Sequence, residues 1–482
     1  MGLASFAVAV GFLLAPIANA GGTVQWDIRK HQSKSKLGKR ATSTFSATID
    51  NDLDFYGYFA TCTIGTPPQE VTLQLDTGSS DVWVPWYSAN VCEEEDCSLG
   101  TFDPSNSTTY EVVGKDEFDI SYVDGTYSKG DYFTDAFVIA GANVSNLTMG
   151  LGINTTIAAG LIGVGYTTAE AIVNNENTYS AQYVNLPQAM MDQGLIATNA
   201  YSLWLNDLDS NTGSILFGGI DTKKYTGDLT KIDISPNILG VYTDFQVTLT
   251  SLHATSSSGT DELTSTQFPI QVVLDSGTAA TFVPTDLAEE IWKEVGAVYI
   301  SELGPVIPCS MWESDGYFSF GFAGPNGPKI NVTMDELILD LGDEDGLKQT
   351  FSSGDYEGQD ACQFGILNSS SSSGYYLFGD TFLRSAYVVY DLVNNQIALA
   401  QTDFNETDSN IVAFASKGAP IPSATLAPSQ SLATATSTFT QPAYAAKDGG
   451  STTVSPSGLG QLAVVGVSML VSLFGGGIFL VG

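Results

Sequence analysis

Two stretches far apart in this chain carry one short pattern, Leu75-Asp76-Thr77-Gly78-Ser79-Ser80 and Leu274-Asp275-Ser276-Gly277-Thr278, each reading apolar, Asp, hydroxyl, Gly, hydroxyl. Each follows an apolar, β-rich run, Val71-Thr72-Leu73-Gln74-Leu75 and Ile270-Gln271-Val272-Val273-Leu274. That context places each Asp where a buried strand turns at a glycine. A buried carboxylate resists ionisation unless donors surround it, and two brought together do not readily both ionise, so the pair would share one proton. Such a pair is an acid and a base in one site. One Asp-Thr-Gly alone marks a turn; its matched repetition points to chemistry.

Other acid-base groups are scarce. His31 and His253 are the only histidines, too isolated to suggest a metal site or a nucleophilic triad. No metal and no cofactor is expected, and carboxylates must carry the proton transfers. Acids dominate the surface as well: 17 Lys and Arg stand against 53 Asp and Glu. Six of those cations lie in the first 40 residues beside one acid, Asp27, which leaves 11 and 52 for the rest. This balance excludes nucleic acid as a partner and suits an acidic medium, where many carboxylates are neutral.

The elements that must position the two loops follow in chain order. Phe118-Asp119-Ile120-Ser121-Tyr122-Val123-Asp124-Gly125-Thr126 alternates like a strand and turns at Asp-Gly, a hairpin signal. Ala159-Gly160-Leu161-Ile162-Gly163-Val164-Gly165 and Tyr376-Leu377-Phe378-Gly379-Asp380 are a second repeated pair, with glycines suited to close passage of one backbone over another. Asn185 to Gly194 and Thr285 to Val295 read as short helices. With 482 residues and 43% hydrophobic content, the chain can fill two cored domains plus appendages.

From about Phe55 to Thr402 these residues resemble the pepsin-like aspartic proteases, and specifically the fungal yapsin-like, GPI-anchored secreted endopeptidases. The resemblance implies an all-β, bilobal fold of two similar β lobes around a central cleft. It implies catalytic roles for Asp76 and Asp275, with Thr77, Ser79, Ser276 and Trp83 supporting the dyad and Thr278 bonding an outer carboxylate oxygen. Tyr122, Asp124, Gly125 and Thr126 become the substrate-covering flap, and Leu161, Gly78, Gly277 and Thr278 also contact substrate. Val123 departs from the glycine usual at its position. Asp124 would sit near the side chain before the scissile bond and favour Lys or Arg there. Ala158, where pepsin has a bulky aromatic, leaves room for a long side chain, while Ala279 supplies no hydroxyl. The family closes Cys92–Cys97 as a disulfide, and Cys309 with Cys362 is taken as the second, leaving Cys62 as a buried free thiol.

Residues 1–20 end in Ala18-Asn19-Ala20 after an apolar run and read as a signal peptide. Residues 21–40 are basic, close on Lys39-Arg40 and read as a propeptide that lies across the cleft with Arg29 or Lys30 near the dyad; a plain spacer is the alternative. The N-terminal lobe is assigned to 41–228 and the C-terminal lobe to 229–405. Residues 406–460 are expected to form an O-glycosylated stalk. Residues 461–482 carry no charge and, if helical, would span about 33 Å. With no basic residue after them, a GPI-attachment signal is preferred to a transmembrane helix. Seven sequons begin at Asn106, Asn143, Asn146, Asn154, Asn331, Asn368 and Asn405. The expected partners are peptide or protein substrates, the propeptide as inhibitor and the GPI lipid, around a monomeric enzyme. Two other readings remain, a broad acid protease preferring hydrophobic residues and a non-catalytic cell-surface mannoprotein.

Overall fold

The computed structural model describes residues 22–30, 57–94, 97–210, 212–263, 268–301, 303–341, 348–369 and 376–430. Residues 1–20, the Lys39-Arg40 pair, the later stalk and the 461–482 segment lie outside these, as does the side chain of Lys30. The fold is all-β with few, short helices.

Each aspartate strand is built in the same way. Gln69–Asp76 pairs in parallel with Leu161–Gly163, so that Asp76 stands opposite Gly163, and Ile270–Leu274 pairs in parallel with Tyr376–Phe378. In both halves the chain returns in a strand, Val82–Pro85 or Thr281–Pro284, that lies antiparallel on the other side of that short strand. Strands sandwiched this way are covered on both faces and read as near-continuous apolar runs. Accordingly Leu73, Leu75, Val272 and Leu274 are fully buried. Glycine is required where the backbones meet: a β-carbon on Gly163 would stand 2.6 Å from the Asp81 nitrogen, and one on Gly379 would stand 2.1 Å from the Thr278 carbonyl oxygen.

A fourteen-stranded sheet runs from the hairpin of Glu111–Ser121 with Tyr127–Ile139 through the first aspartate strand and on to Ala386–Asp391 and Gln396–Thr402. It therefore joins residues of both halves of the chain. An eight-stranded sheet around Gln246–Ser256 and Ile270–Leu274 and a four-stranded sheet complete the second lobe. Helix Thr285–Val295 buries Leu287, Ala288, Ile291, Trp292 and Val295 along one stripe and ends at Gly296, whose φ of 71° suits a left-handed cap. The shorter predicted helix occupies Leu186–Asp192, with Asn185 as its N-cap and Pro187 in its first turn.

The disulfides are Cys92–Cys97 and Cys309–Cys362, and Cys62 is free and buried. Their loops span 5 and 53 residues, so on a loop-entropy basis they stabilise by roughly 2 and 4 kcal/mol.

Both appendages differ from expectation where they are described. Val24–Lys30 does not lie across the cleft; it is a strand of the large sheet, antiparallel to Thr212–Phe217, with Arg29 opposite Thr212 and Phe59 and exposed. The cause is its alternation, which buries Val24, Trp26 and Ile28 and turns Gln25, Asp27 and Arg29 to solvent. The stalk does not begin at 406. Ile411–Ala413 pairs with Gly219–Asp221, Thr425–Leu426 pairs with Tyr225–Asp233, and Phe414, Ile421 and Ala427 are buried. A few well-placed apolar side chains suffice to hold this Ser- and Pro-rich segment to the body as far as Gln430, whose amide bonds Asp233.

Candidate active site

The two Asp loops grip each other through a reciprocal lattice. Thr77 Oγ1 donates to the Leu274 carbonyl at 3.0 Å, and Ser276 Oγ donates to the Leu75 carbonyl at 3.0 Å. Each hydroxyl also accepts the other loop's backbone N–H, from Ser276 at 2.9 Å and from Thr77 at 3.2 Å. Four buried backbone groups are satisfied in this way. Within each loop the glycine N–H donates to its aspartate, Gly78 to Asp76 Oδ1 and Gly277 to Asp275 Oδ1, both at 2.8 Å. Gly78 also abuts the opposite carboxylate, since a β-carbon there would stand 2.5 Å from Asp275 Oδ1.

The surroundings of the two carboxyls are unequal. Asp275 Oδ2 accepts from Thr278 Oγ1 at 2.6 Å, whereas Asp76 Oδ2 and Ser79 Oγ are buried without a hydrogen-bond partner. Ser79 thus does not mirror Thr278 in making that bond, although its hydroxyl lies close enough to favour the charged form of Asp76. Burial pushes both carboxyls above the ordinary range, and the neighbouring Asp275 raises Asp76 further. Asp275 is the better hydrogen-bonded member, which favours its charged form and favours a shared proton on Asp76. A pair arranged in this way can supply a general base beside a general acid.

Over this floor the hairpin turns at 122–126. Tyr122 N–H donates to the Thr126 carbonyl at 2.9 Å, and Gly125 N–H donates to the Tyr122 carbonyl at 3.0 Å, with Gly125 at φ 87°. Asp124 Oδ1 accepts from both the Thr126 N–H, at 2.8 Å, and its hydroxyl, at 2.7 Å. Part of the Asp124 carboxylate therefore fixes the turn, while Val123 is exposed at the tip. Trp83 Nε1 donates to Tyr122 Oη at 2.6 Å, and both rings are buried with Phe118, Ile120 and Leu161. Leu161 is thus a buried member of the same apolar cluster as Tyr122.

Six sequon asparagines, Asn106, Asn143, Asn146, Asn154, Asn331 and Asn405, are exposed; Asn368 is half-buried. Among the described residues no cluster of His, Cys, Asp and Glu could hold a metal.

Three acids near the site carried no signal in the sequence. Asp81 and Glu170 are fully buried behind the first loop. Asp244 precedes Phe245, whose carbonyl accepts the Leu274 N–H at 3.3 Å, and it lies close enough to feel the Asp275 charge. Burial and the Asp275 charge push the Asp244 carboxyl up to about 6, against the pull of the Thr243 hydroxyl. Only the position of Asp81, five residues after Asp76, could have drawn notice.

Known proteins share this arrangement in sequence. The eukaryotic aspartyl protease family model matches residues 57–402. The chain is 41% identical to the probable aspartic-type endopeptidase opsB of Aspergillus fumigatus, over 81% of this chain and 78% of that protein. It is 35% identical to an acid protease of Saccharomycopsis fibuligera, over 79% and 93%, and 34% identical to secreted aspartic protease 8 of Candida albicans, over 73% and 77%. With the family match extending over both aspartate loops and the sheets that carry them, the chain belongs to the eukaryotic aspartyl proteases and is an aspartic-type endopeptidase.

Proposed function

We propose that Asp76 and Asp275 are the catalytic pair, and that they hydrolyse peptide bonds at acidic pH by activating a water between them. Asp275, ionised first, takes the water's proton; Asp76, protonated, donates to the scissile carbonyl as the tetrahedral intermediate forms. The observation that supports this reading is the buried Asp76 Oδ2, left without a protein partner on a floor that the Thr77–Ser276 lattice holds rigid. Tyr122 and the turn it opens close over the substrate and exclude bulk water. Gly78, Gly277, Thr278 and Thr126 face the substrate backbone, and Asp124, through the oxygen not spent on the turn, favours Lys or Arg beside the cut. The basic preference is favoured over a broad hydrophobic one by the strongly acidic composition.

The enzyme is proposed to be secreted, matured by removal of the leader at Lys39-Arg40, glycosylated at exposed sequons and held at the cell surface by a GPI anchor, as a monomer. A relative named as a secreted protease supports the first of these. Asp76→Asn and Asp275→Asn, tested separately on a peptide substrate at acidic pH, are the decisive variants. Each should abolish turnover while the protein melts near the wild-type temperature, and undiminished turnover by either would refute the assignment.

A further inference from the structure

A third carboxyl stands beside the dyad, and the proposed reaction does not use it. It belongs to residues 242–245, which span the supports of both Asp loops. At one end Thr168 Oγ1 donates to the Tyr242 carbonyl, and the Tyr166 ring packs against Tyr242 at 6.2 Å and Phe245 at 5.3 Å between centroids. Tyr166 is tied to the first loop, since its carbonyl accepts Ser80 Oγ at 2.6 Å. At the other end the Phe245 carbonyl accepts the N–H of Leu274, the residue before Asp275. Asp244 lies between these two fixed points.

Its side chain is held but not consumed. Phe245 is fully buried, whereas Asp244 is partly exposed. Asp244 Oδ2 accepts from Thr243 Oγ1 at 2.8 Å, while Oδ1 takes no hydrogen bond among the described residues and is not buried. The groups that face this carboxyl are the Thr243 hydroxyl, the Asp275 carboxyl and the Tyr166 phenol, so among the described residues no cation balances it. Two neighbouring carboxyls without a cation repel when both ionise, and a cation brought beside them relieves that cost. The chain supplies none at this point; a substrate side chain can.

We propose that Asp244 borders the cleft on its Asp275 side and is a specificity residue, receiving the ammonium of Lys or the guanidinium of Arg from a substrate residue near the cut. A charge-assisted contact to Oδ1 leaves the Thr243 bond in place and offsets the repulsion from Asp275. Asp124 approaches from the turn of the first-lobe hairpin and Asp244 from between the Asp loops, so the two acids read different side chains of one substrate. The contact carries a pH signature. Burial and the Asp275 charge hold the free carboxyl protonated up to about 6, and a protonated carboxyl attracts a cation far less. Discrimination in favour of Lys is therefore weak near pH 4 and grows toward pH 6. The inference rests on the reading of Asp76 and Asp275 as the catalytic pair.

The test is kcat/KM of the full enzyme as expressed, on peptides in which a single Lys is moved through the positions on either side of a cut verified by mass spectrometry. Each is compared with the peptide carrying norleucine at the same position. Taking the ratio within one enzyme cancels the dyad's own titration. At one position, distinct from that at which Asp124→Asn acts, the wild-type Lys-to-norleucine ratio should rise about fivefold between pH 4 and 6, the share of a roughly tenfold charge-assisted contact reached at half-ionisation. Asp244→Asn keeps an oxygen for Thr243 and should make that ratio flat. A wild-type ratio that stays flat at every position would overturn the proposal, and this measurement needs no variant to fold. A rise that persists in folded Asp244→Asn, or that Asp124→Asn abolishes instead, would overturn it as well. The two readings fail separately: undiminished turnover by Asp275→Asn removes the catalytic pair, whereas a flat ratio in an enzyme that Asp275→Asn silences removes only Asp244.

Discussion

Thr77 and Ser276 are each other's support: the hydroxyl of each donates to the carbonyl preceding the other's aspartate, at 3.0 Å in both directions. Because these carbonyls are buried, removing one hydroxyl leaves an acceptor unsatisfied and also an N–H that it had accepted. Thr77→Ala or Ser276→Ala should therefore cost about 1–3 kcal/mol of stability, measured by denaturant unfolding at acidic pH. The loss in kcat should be larger than stability alone explains, since the lattice aims both carboxyls. Thr77→Ser, which restores the hydroxyl, should recover most of both. An alanine variant with normal kcat would mean that the aspartates are aligned by their strands and not by this lattice.

Gly78 gives a test from the opposite direction. A methyl at this position would stand 2.5 Å from one Asp275 oxygen and 2.9 Å from the other. Carbon cannot occupy that distance, so the Asp275 carboxyl must turn away and lose its alignment with Asp76. Gly78→Ala should lower kcat by about a hundredfold or more, the order expected for an ångström-scale misplacement, with a modest change in melting temperature. A fully active Gly78→Ala variant would show that the dyad tolerates this displacement and that its geometry is softer than the lattice implies.

Asp244 yields a pH prediction whose sign can be worked out. Its carboxyl is pushed up to about 6 from an unfolded value of 3.8, so between these limits the folded chain holds a proton that the unfolded chain has lost. The corresponding stabilisation is complete below about pH 4 and is lost as pH rises through about 6. Asp244→Asn, which cannot ionise, should match the wild type near pH 3.5 and exceed it near pH 7. With its partial exposure discounted, the gain is about 1–2 kcal/mol. Urea unfolding at the two pH values provides the measurement, and equal differences at both would remove Asp244 as a source of neutral-pH instability.

The sequence made legible what is local and repeated. Asp76 and Asp275 stood out because their loops must bend at Gly78 and Gly277, and the strands carrying Gly163 and Gly379 stood out because only glycine admits such close backbones. Tyr122 and Trp83 came with the resemblance, and their mutual hydrogen bond accounts for the pairing. What escaped is tertiary. Asp81 and Glu170 look like surface acids until residues 81, 132, 170 and 183 converge. The segment 411–427 escaped because Phe414, Ile421 and Ala427 follow no strand or helix period and find burial only on strands from elsewhere in the chain. Composition reported the polar residues around them, whereas the few apolar ones decide the packing.

Specificity can be read at the flap tip with a substitution chosen for the geometry. Asp124 has one role in the structure and one in the proposal: its Oδ1 accepts two hydrogen bonds from Thr126 and shapes the turn, and its charge is proposed to meet a substrate cation. Alanine would remove both at once and could not tell them apart. Asp124→Asn keeps a side-chain oxygen for Thr126 and removes the charge alone. It should lower kcat/KM for peptides with Lys or Arg beside the cut by about tenfold or more, equivalent to one charge-assisted contact of roughly 1.5 kcal/mol. Peptides with Leu or Phe there should be hydrolysed as before. Asp124→Ala should add a loss common to both sets, because the turn from Tyr122 to Thr126 then lacks its internal acceptor. Equal losses on both sets with Asp124→Asn would show that Asp124 only builds the turn, and the broad, hydrophobic-preferring protease would become the better description of this enzyme.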